Sequence, residues 1–282
     1  MSRSRAAAAK VDAHARRRDP SQANLPSSAA RPGRDGDSAD SARAAGPPRA
    51  GLAFLQRLGD VLSEHLAGQM PQVLDLAGLD RAGRQFVEET LGEGEVSILT
   101  RGLEEARIQE TALAGVWRLQ LVDAGGRVLR HVIEVADVPG LVRATAFVGA
   151  KTGVSSPSAV PEGVMNAPAV LTELEAQAAS WQNGQSAHVV NLTLLPQTEE
   201  DLEFLGSQLG RGPVTVLTRG YGNCRITATA LQNVWWVQHF SAEDQLILNT
   251  LEITDVPVAA LAAQEDIDDS RERLADILSE LH

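Results

Sequence analysis

Residues 91–139 read LGEGEVSILTRGLEEARIQETALAGVWRLQLVDAGGRVLRHVIEVADVP, and residues 209–257 read LGRGPVTVLTRGYGNCRITATALQNVWWVQHFSAEDQLILNTLEITDVP. These two 49-residue blocks lie 118 positions apart and align without a gap. Gly92/Gly210, Gly94/Gly212, Arg101/Arg219, Gly102/Gly220, Arg107/Arg225, Trp117/Trp235, Glu134/Glu252, Asp137/Asp255 and Pro139/Pro257 are identical pairs, and several further positions exchange one apolar residue for another. An internal repeat dictates architecture, and a period this long marks a duplicated subdomain rather than a solenoid. A residue present in only one copy is not explained by the shared fold alone.

Working outward, the first copy reads as a strand at 96–100, a turn at Arg101-Gly102, a long extended stretch from Arg107 to Val122, a hairpin turn at Asp123–Gly126 and a return strand to Val135. Before it come an apolar-periodic helix over 51–69, a short strand at 73–76 and a helix from Asp80, which can cap its own start. The second copy repeats the order. A helix over 168–181 has Asn166 as its cap and Pro168 in its first turn. A strand at 189–195 follows, then a helix from Thr198, a strand at 214–218, a long strand at 225–240 and a return at 245–253. Each half therefore reads α-β-α-β-β-β, with mostly antiparallel sheets and the helices segregated to one face, an α+β fold. The expected domains are a tail over 1–50, a first half over 51–148, a Gly/Ser/Pro-rich linker over 149–162, and a second half over 163–282 that ends in an acidic amphipathic helix.

The tail is rich in Ala, Arg, Ser, Pro and Gly, lacks aromatics, and reads as disordered because it cannot bury enough apolar surface to offset its ordering entropy. It carries 10 basic and 5 acidic residues, which leaves 15 basic and 32 acidic residues for positions 51–282, a net charge of −17. Such a body argues against a nucleic-acid partner, which needs clustered Lys and Arg, and suits a basic protein or peptide. Arg16-Arg17-Arg18 has no apolar segment after it and is not read as an export signal, and no run is long enough to span a membrane. One cysteine excludes an internal disulfide framework, and a cytoplasmic protein is expected.

Phosphate-loop, nucleophile-elbow and zincin patterns are absent from the sequence, and its six histidines are scattered. No catalytic residue, metal site or cofactor is assigned. The most distinctive string is Thr218-Arg-Gly-Tyr-Gly-Asn-Cys-Arg225. Cys224 lies near Arg219 and Arg225, and cationic neighbours favour a thiolate. Against a role for it, the equivalent residue in the first copy is Ala106, so Cys224 also reads as a small buried residue. The repeated arginines stand beside repeated carboxylates. They read either as an anion-recognising surface or as ion pairs that pin each half separately. Trp117 and Trp235 read as core. Trp236, which replaces Arg118, points to the opposite strand face and reads equally as an interface residue or as packing beneath a helix. His131 and His239 read as structural.

At RGYGNCRITATALQNVWWVQHF (219–240), LILNTLEITDVPVAALAAQEDIDDSRERL (246–274) and Val160-Pro-Glu-Gly-Val-Met-Asn-Ala-Pro168 the chain resembles the HupH/HyaF/HoxQ family of hydrogenase expression/formation proteins. The resemblance covers most of 51–282, although the Pro-, Gly- and acid-containing opening segment of many members is not found here. It implies a non-enzymatic, cytoplasmic maturation chaperone for an uptake nickel–iron hydrogenase. Its partners would be an immature subunit, with the iron–sulfur small subunit and its twin-arginine signal favoured, and other maturation proteins. The expected partner-binding residues are those that depart from the first copy or flank such departures: Arg219, Tyr221, Asn223, Cys224, Arg225 and Trp236. The alternative is a redox or metal-handling assembly factor that uses Cys224.

Overall fold

A computed structural model describes residues 47–102, 105–154, 160–220 and 222–281; the expected disordered tail lies outside these residues except at its end, where a helix already begins at Arg49. In chain order the first half comprises α1 (Arg49–Glu64), β1 (Gln72–Asp75), α2 (Arg81–Leu91), β2 (Val96–Thr100), β3 (Glu105–Glu110), β4 (Val116–Val122), β5 (Val128–Val135) and α3 (Gly140–Thr145). The second comprises α4 (Ala167–Ser180), β6 (His188–Asn191), α5 (Glu199–Leu209), β7 (Val214–Gly220), β8 (Gly222–Ala228), β9 (Val234–Phe240), β10 (Leu246–Ile253) and α6 (Gln264–Glu280). Residues 155–159 of the expected linker are not described, but Lys151 already bridges to Leu231 of the second half.

Each half contains one strand more than the sequence suggests. The expected single strands over 107–122 and 225–240 are each broken by a tight turn. Thr111 and Thr229 build these turns: each side-chain oxygen accepts from the backbone two residues on, at 3.2 Å from Leu113 N and 3.1 Å from Leu231 N. Gly115 (φ +77°) and Asn233 (φ +64°) then reverse the chain in the left-handed region. Only Gly fits the first turn, because a Cβ on Gly115 would stand 2.8 Å from Ile267 of α6. No such contact forces the choice at Asn233, and Asn tolerates that conformation best among the other residues.

All ten strands form one sheet, in the order β1-β5-β4-β3-β2-β7-β8-β9-β10-β6, with every neighbouring pair antiparallel. The halves are joined by β2 and β7, whose register sets Val96 against Thr218, Ile98 against Val216 and Thr100 against Val214. Because Val214 and Thr218 are the repeat equivalents of Val96 and Thr100, the duplicated strands meet about a pseudo-two-fold axis. The backbone bonds at the ends of the pair obey the same symmetry: Arg101 N donates to Pro213 O at 2.9 Å, and Arg219 N to Glu95 O at 3.0 Å. The outermost strands, β1 and β6, are only four residues long, which limits the exposed edge available for mispairing.

Alternation along the strands separates two faces. One gathers Ile98, Ala106, Ile108, Trp117, Leu119, Val132, Val214, Val216, Cys224, Ile226, Trp235 and Val237 into a single core with Val142 of α3 and Val256. Trp117 and Trp235 are fully buried in this core, and their indole N–H groups donate to Ala136 O (2.9 Å) and Asp255 O (3.0 Å). Phe147 packs edge-on to Trp235 at 5.3 Å. On the other face α1, α2 and α6 cover the first half around Leu55, Leu58, Leu62, Ile133 and Leu274. Helices α4 and α5 cover the second half around Leu174, Leu205, Val234 and Leu251. Helices are therefore not confined to one face, since α3 lies on the side opposite to the rest.

Helix α6 belongs to the second half in sequence but packs on the first. Arg271 donates to Leu62 O and His65 O, two of the carbonyls left unpaired at the end of α1, each at 3.3 Å. Arg273 donates to Ala112 O at 2.9 Å. The repeated glycines Gly94 and Gly212 answer to a close approach: a Cβ would stand 2.2 Å from Thr111 O at the first and 2.6 Å from Thr229 O at the second.

Candidate partner-binding site

A cleft of about 610 Å³ opens beside the β2–β7 seam. Its lining includes Glu93, Glu95 and Glu110 from the first half, and Arg219, Asn223, Cys224, His239, Phe240 and Ile247 from the second. Three expected site residues, Arg219, Asn223 and Cys224, therefore meet in one place. Asn223 is exposed, and its amide donates to Asp244 Oδ1 at 3.1 Å. Tyr221 lies outside the described residues. Strand alternation carries Arg225 to the opposite face, where its guanidinium stacks over the Phe240 ring at 5.6 Å. Trp236 also lies on that face, against Gly206 of α5, with its indole N–H donating to Asn249 Oδ1 at 2.6 Å. In the first half the same two positions hold Arg118 and His131, which pair instead with Glu93 (2.8 Å) and Glu88 (3.5 Å).

The cleft has a unique chemistry because two residues differ between the copies. Register places Cys224 opposite His239, with the thiol 3.8 Å from Nε2, where the first copy has Ala106 opposite Leu121. The expected lowering of the Cys224 pKa does not occur. Burial, with a further push from the Glu252 carboxylate, raises it to about 11, and Arg225 is on the wrong side of the sheet to oppose this. Cys224 is therefore a neutral thiol at physiological pH. Alkylation by iodoacetamide at pH 8 should run on the order of a hundredfold slower in the folded chain than after unfolding, judged from the thiolate fraction alone. Equal rates would contradict this burial. Among the described residues no group of three or more His, Cys, Asp or Glu is placed to hold a metal ion.

Glu110 is the cleft's second unusual group. It is buried, and burial raises its pKa to about 7; the Gly115 N–H (3.3 Å) opposes the rise, and the Asp266 and Glu95 carboxylates add to it. A folded-state pKa above the unfolded one means that the native state holds the extra proton. The contribution of Glu110 to stability is therefore greatest below about pH 4.5 and falls as pH rises toward 7. Glu110→Gln should leave the melting temperature nearly unchanged at pH 4 and raise it at pH 8, by about 3 kcal/mol in stability. Equal effects at both pH values would show that the carboxyl is not the titrating group.

The four repeated arginines do not pin the halves in the expected way. Among the described residues Arg101, Arg107, Arg219 and Arg225 form no ion pair. The repeated Asp137 and Asp255 share one cation, Arg143 of α3, which lies 2.8 Å from Asp137 and also bonds Asp255. Arg143 has no counterpart, since the equivalent residue in the second copy is Leu261. Sequence reasoning read His239 as structural and passed over Phe240, Glu95 and Glu110. Reading 225–240 as one strand hid the register that sets His239 against Cys224, and Glu95 and Glu110 come from the other half.

The model of the HupH hydrogenase expression protein, C-terminal conserved region, matches residues 50–147 and again 164–281. Over 228 residues the chain is 49% identical to hydrogenase expression/formation protein HupQ of Azotobacter chroococcum mcd 1, covering 80% of each chain. It is 48% identical to hydrogenase expression/formation protein HupH of Rhodobacter capsulatus, covering 72% of each. It is 34% identical to hydrogenase-1 operon protein HyaF of Escherichia coli K12, over 80% of this chain and 79% of that one. Among solved structures, hydrogenase expression protein HupH from Thiobacillus denitrificans matches 41% of this chain and 96% of its own, at 28% identity and a TM-score of 0.39.

Proposed function

Because the chain belongs to the family of HupH hydrogenase expression proteins, we propose that it is a non-enzymatic, cytoplasmic maturation chaperone for a nickel–iron hydrogenase. It holds the immature iron–sulfur small subunit before assembly and twin-arginine export, and hands it on to other maturation proteins. The observation that carries this reading is the seam cleft, whose lining combines exposed Glu95, and Glu93 paired to Arg118, with exposed Ile247. Carboxylates next to apolar side chains suit a segment that is itself basic and then apolar, as an export signal is. The net charge of −17 over 51–282 steers such a segment toward the body from a distance. No helix among the described residues is long and apolar enough to cross a membrane.

The test is retention of a tagged small-subunit precursor by the full chain at low salt. Retention should fall at least tenfold for a precursor lacking its signal segment, and likewise for the Glu93→Lys/Glu95→Lys variant. If neither hydrogenase subunit is retained, the chaperone reading fails. A neutral, buried thiol argues against a redox or metal-handling factor built on Cys224. Hydrogenase activity in cells should therefore be unchanged by Cys224→Ser.

A further inference from the structure

The sheet face that carries the helices is not covered across its width. Helices α1, α2 and α6 sit over one end and α4 and α5 over the other, and the four central strands between them keep an open outer face. Burial alternates accordingly. On β8, Cys224, Ile226 and Ala228 are buried on the inner face, while Arg225 and Thr227 on the outer face remain half-exposed. Ser97 and Leu99 on β2, and Thr215 and Leu217 on β7, are likewise half-exposed. Arg107 is exposed.

Register fixes the layout of this floor. One row runs Arg107–Leu99–Thr215–Thr227, and the next runs Gln109–Ser97–Leu217–Arg225. The two arginines are repeat equivalents and stand at opposite sides, three strand spacings across and two residues along, which is about 16 Å. Between them lie Leu99 and Leu217, also related by the repeat. Neither arginine has an ion-pair partner among the described residues, and Glu105 is the one carboxylate on the outer positions of these four strands. Beyond these strands, Glu93 is paired with Arg118 at 2.8 Å. His131 adds no cation at physiological pH, because burial and then Arg118 and Arg84 lower its pKa to about 4.

We propose that this trough is a docking surface for an acidic amphipathic helix of the client protein. The width between the arginines, three strand spacings, is about 14 Å, and a helix with its side chains is about 10–12 Å across. An apolar stripe on such a helix rests on Leu99 and Leu217, and carboxylates on its two flanks reach Arg107 and Arg225. The charge argument selects the occupant. In a body of net charge −17, two unpaired cations flanking an apolar strip complement an anion and repel the basic tail of the chain itself. The inference rests on the chaperone reading for the client's identity and adds a second contact to it, opposite in charge to the cleft.

The experiment uses the full chain carrying a photo-crosslinking amino acid at Thr215, offered to both purified immature hydrogenase subunits. The expected result is a crosslink to a helix-forming segment of net negative charge in one subunit. The crosslink should weaken at least tenfold in Arg107→Glu/Arg225→Glu and persist in Arg107→Lys/Arg225→Lys, with both variants melting within a few degrees of the parent. A crosslink to a basic segment, or one undiminished by the charge reversal, overturns the proposal. Co-purification of a subunit without any crosslink at Thr215 overturns the trough and leaves the chaperone standing. Loss of both sinks both.

Discussion

Replacing Asp201 by Ala should cost about 4 kcal/mol of stability, because four backbone donors, one buried and three part-buried, lose their acceptor at once. Asp201 is fully buried. Its Oδ1 accepts from Met165, Asn166 and Ala167 N at 2.8–2.9 Å, which caps the start of α4, while Oδ2 accepts from Thr198 N at 3.1 Å and Thr198 Oγ1 accepts from Asp201 N at 3.0 Å. One carboxylate thus closes its own helix's capping box and caps a neighbouring helix. The expected cap of α4, Asn166, makes no capping bond, and its amide donates to Pro196 O instead. Burial opposes ionisation of Asp201, but the backbone N–H groups prevail and hold its pKa near 2. A folded pKa below the unfolded one gives a stabilisation that is complete above about pH 4 and lost as pH falls toward 2. Thermal unfolding at neutral pH should show a fall in Tm of about 10 °C for Asp201→Ala. Asp201→Asn, which keeps one acceptor, should lose about half as much and show weaker acid sensitivity. A melting point unchanged in Asp201→Ala would refute this account of how α4 and α5 are joined.

Arg143→Ala should destabilise by about 3 kcal/mol, since it strands a buried carboxylate. Asp137 is only 6% exposed; its Oδ1 accepts from Val138 N at 2.8 Å, which leaves Oδ2 to Arg143. The same guanidinium bonds Asp255, so removing it frees two like charges from opposite halves. Arg143→Lys should recover only part of the loss, because an ammonium cannot fork between two carboxylates as a guanidinium does. The urea midpoint measures both effects. An additive double mutant of Arg143→Ala with Asp255→Asn would show that the two side chains are not coupled.

Much of the fold was legible in the chain. The hydrophobic period placed α1 and α6, and the cap and first-turn residues placed α2 and α5. The Asp80 cap is present, with Asp80 Oδ1 accepting from Gly83 N at 2.7 Å. The hairpin at Asp123–Gly126 closes as expected, with Gly126 N donating to Asp123 O at 2.8 Å. The broken strands were not legible, because Thr111 and Thr229 read as ordinary strand residues until their side chains are seen to bond the turn. The site was half legible. Comparing the copies singled out Cys224 and Asn223, but it also singled out Trp236, which the second half uses to replace a pair of ion contacts with one indole bond.

The sequence alone determined the duplication, most of the elements within each half, the acid body and the family. These are local or compositional properties, written in residues close along the chain. Only the tertiary structure decided that the two copies fuse through β2 and β7 into one sheet, and that α6 crosses to the other half. It also decided that one arginine serves both repeated aspartates, and that Cys224 and Arg225 face opposite sides of the sheet. Each of these depends on side chains more than a hundred residues apart or on which face a strand presents, and a shift of one residue in register would reverse that face.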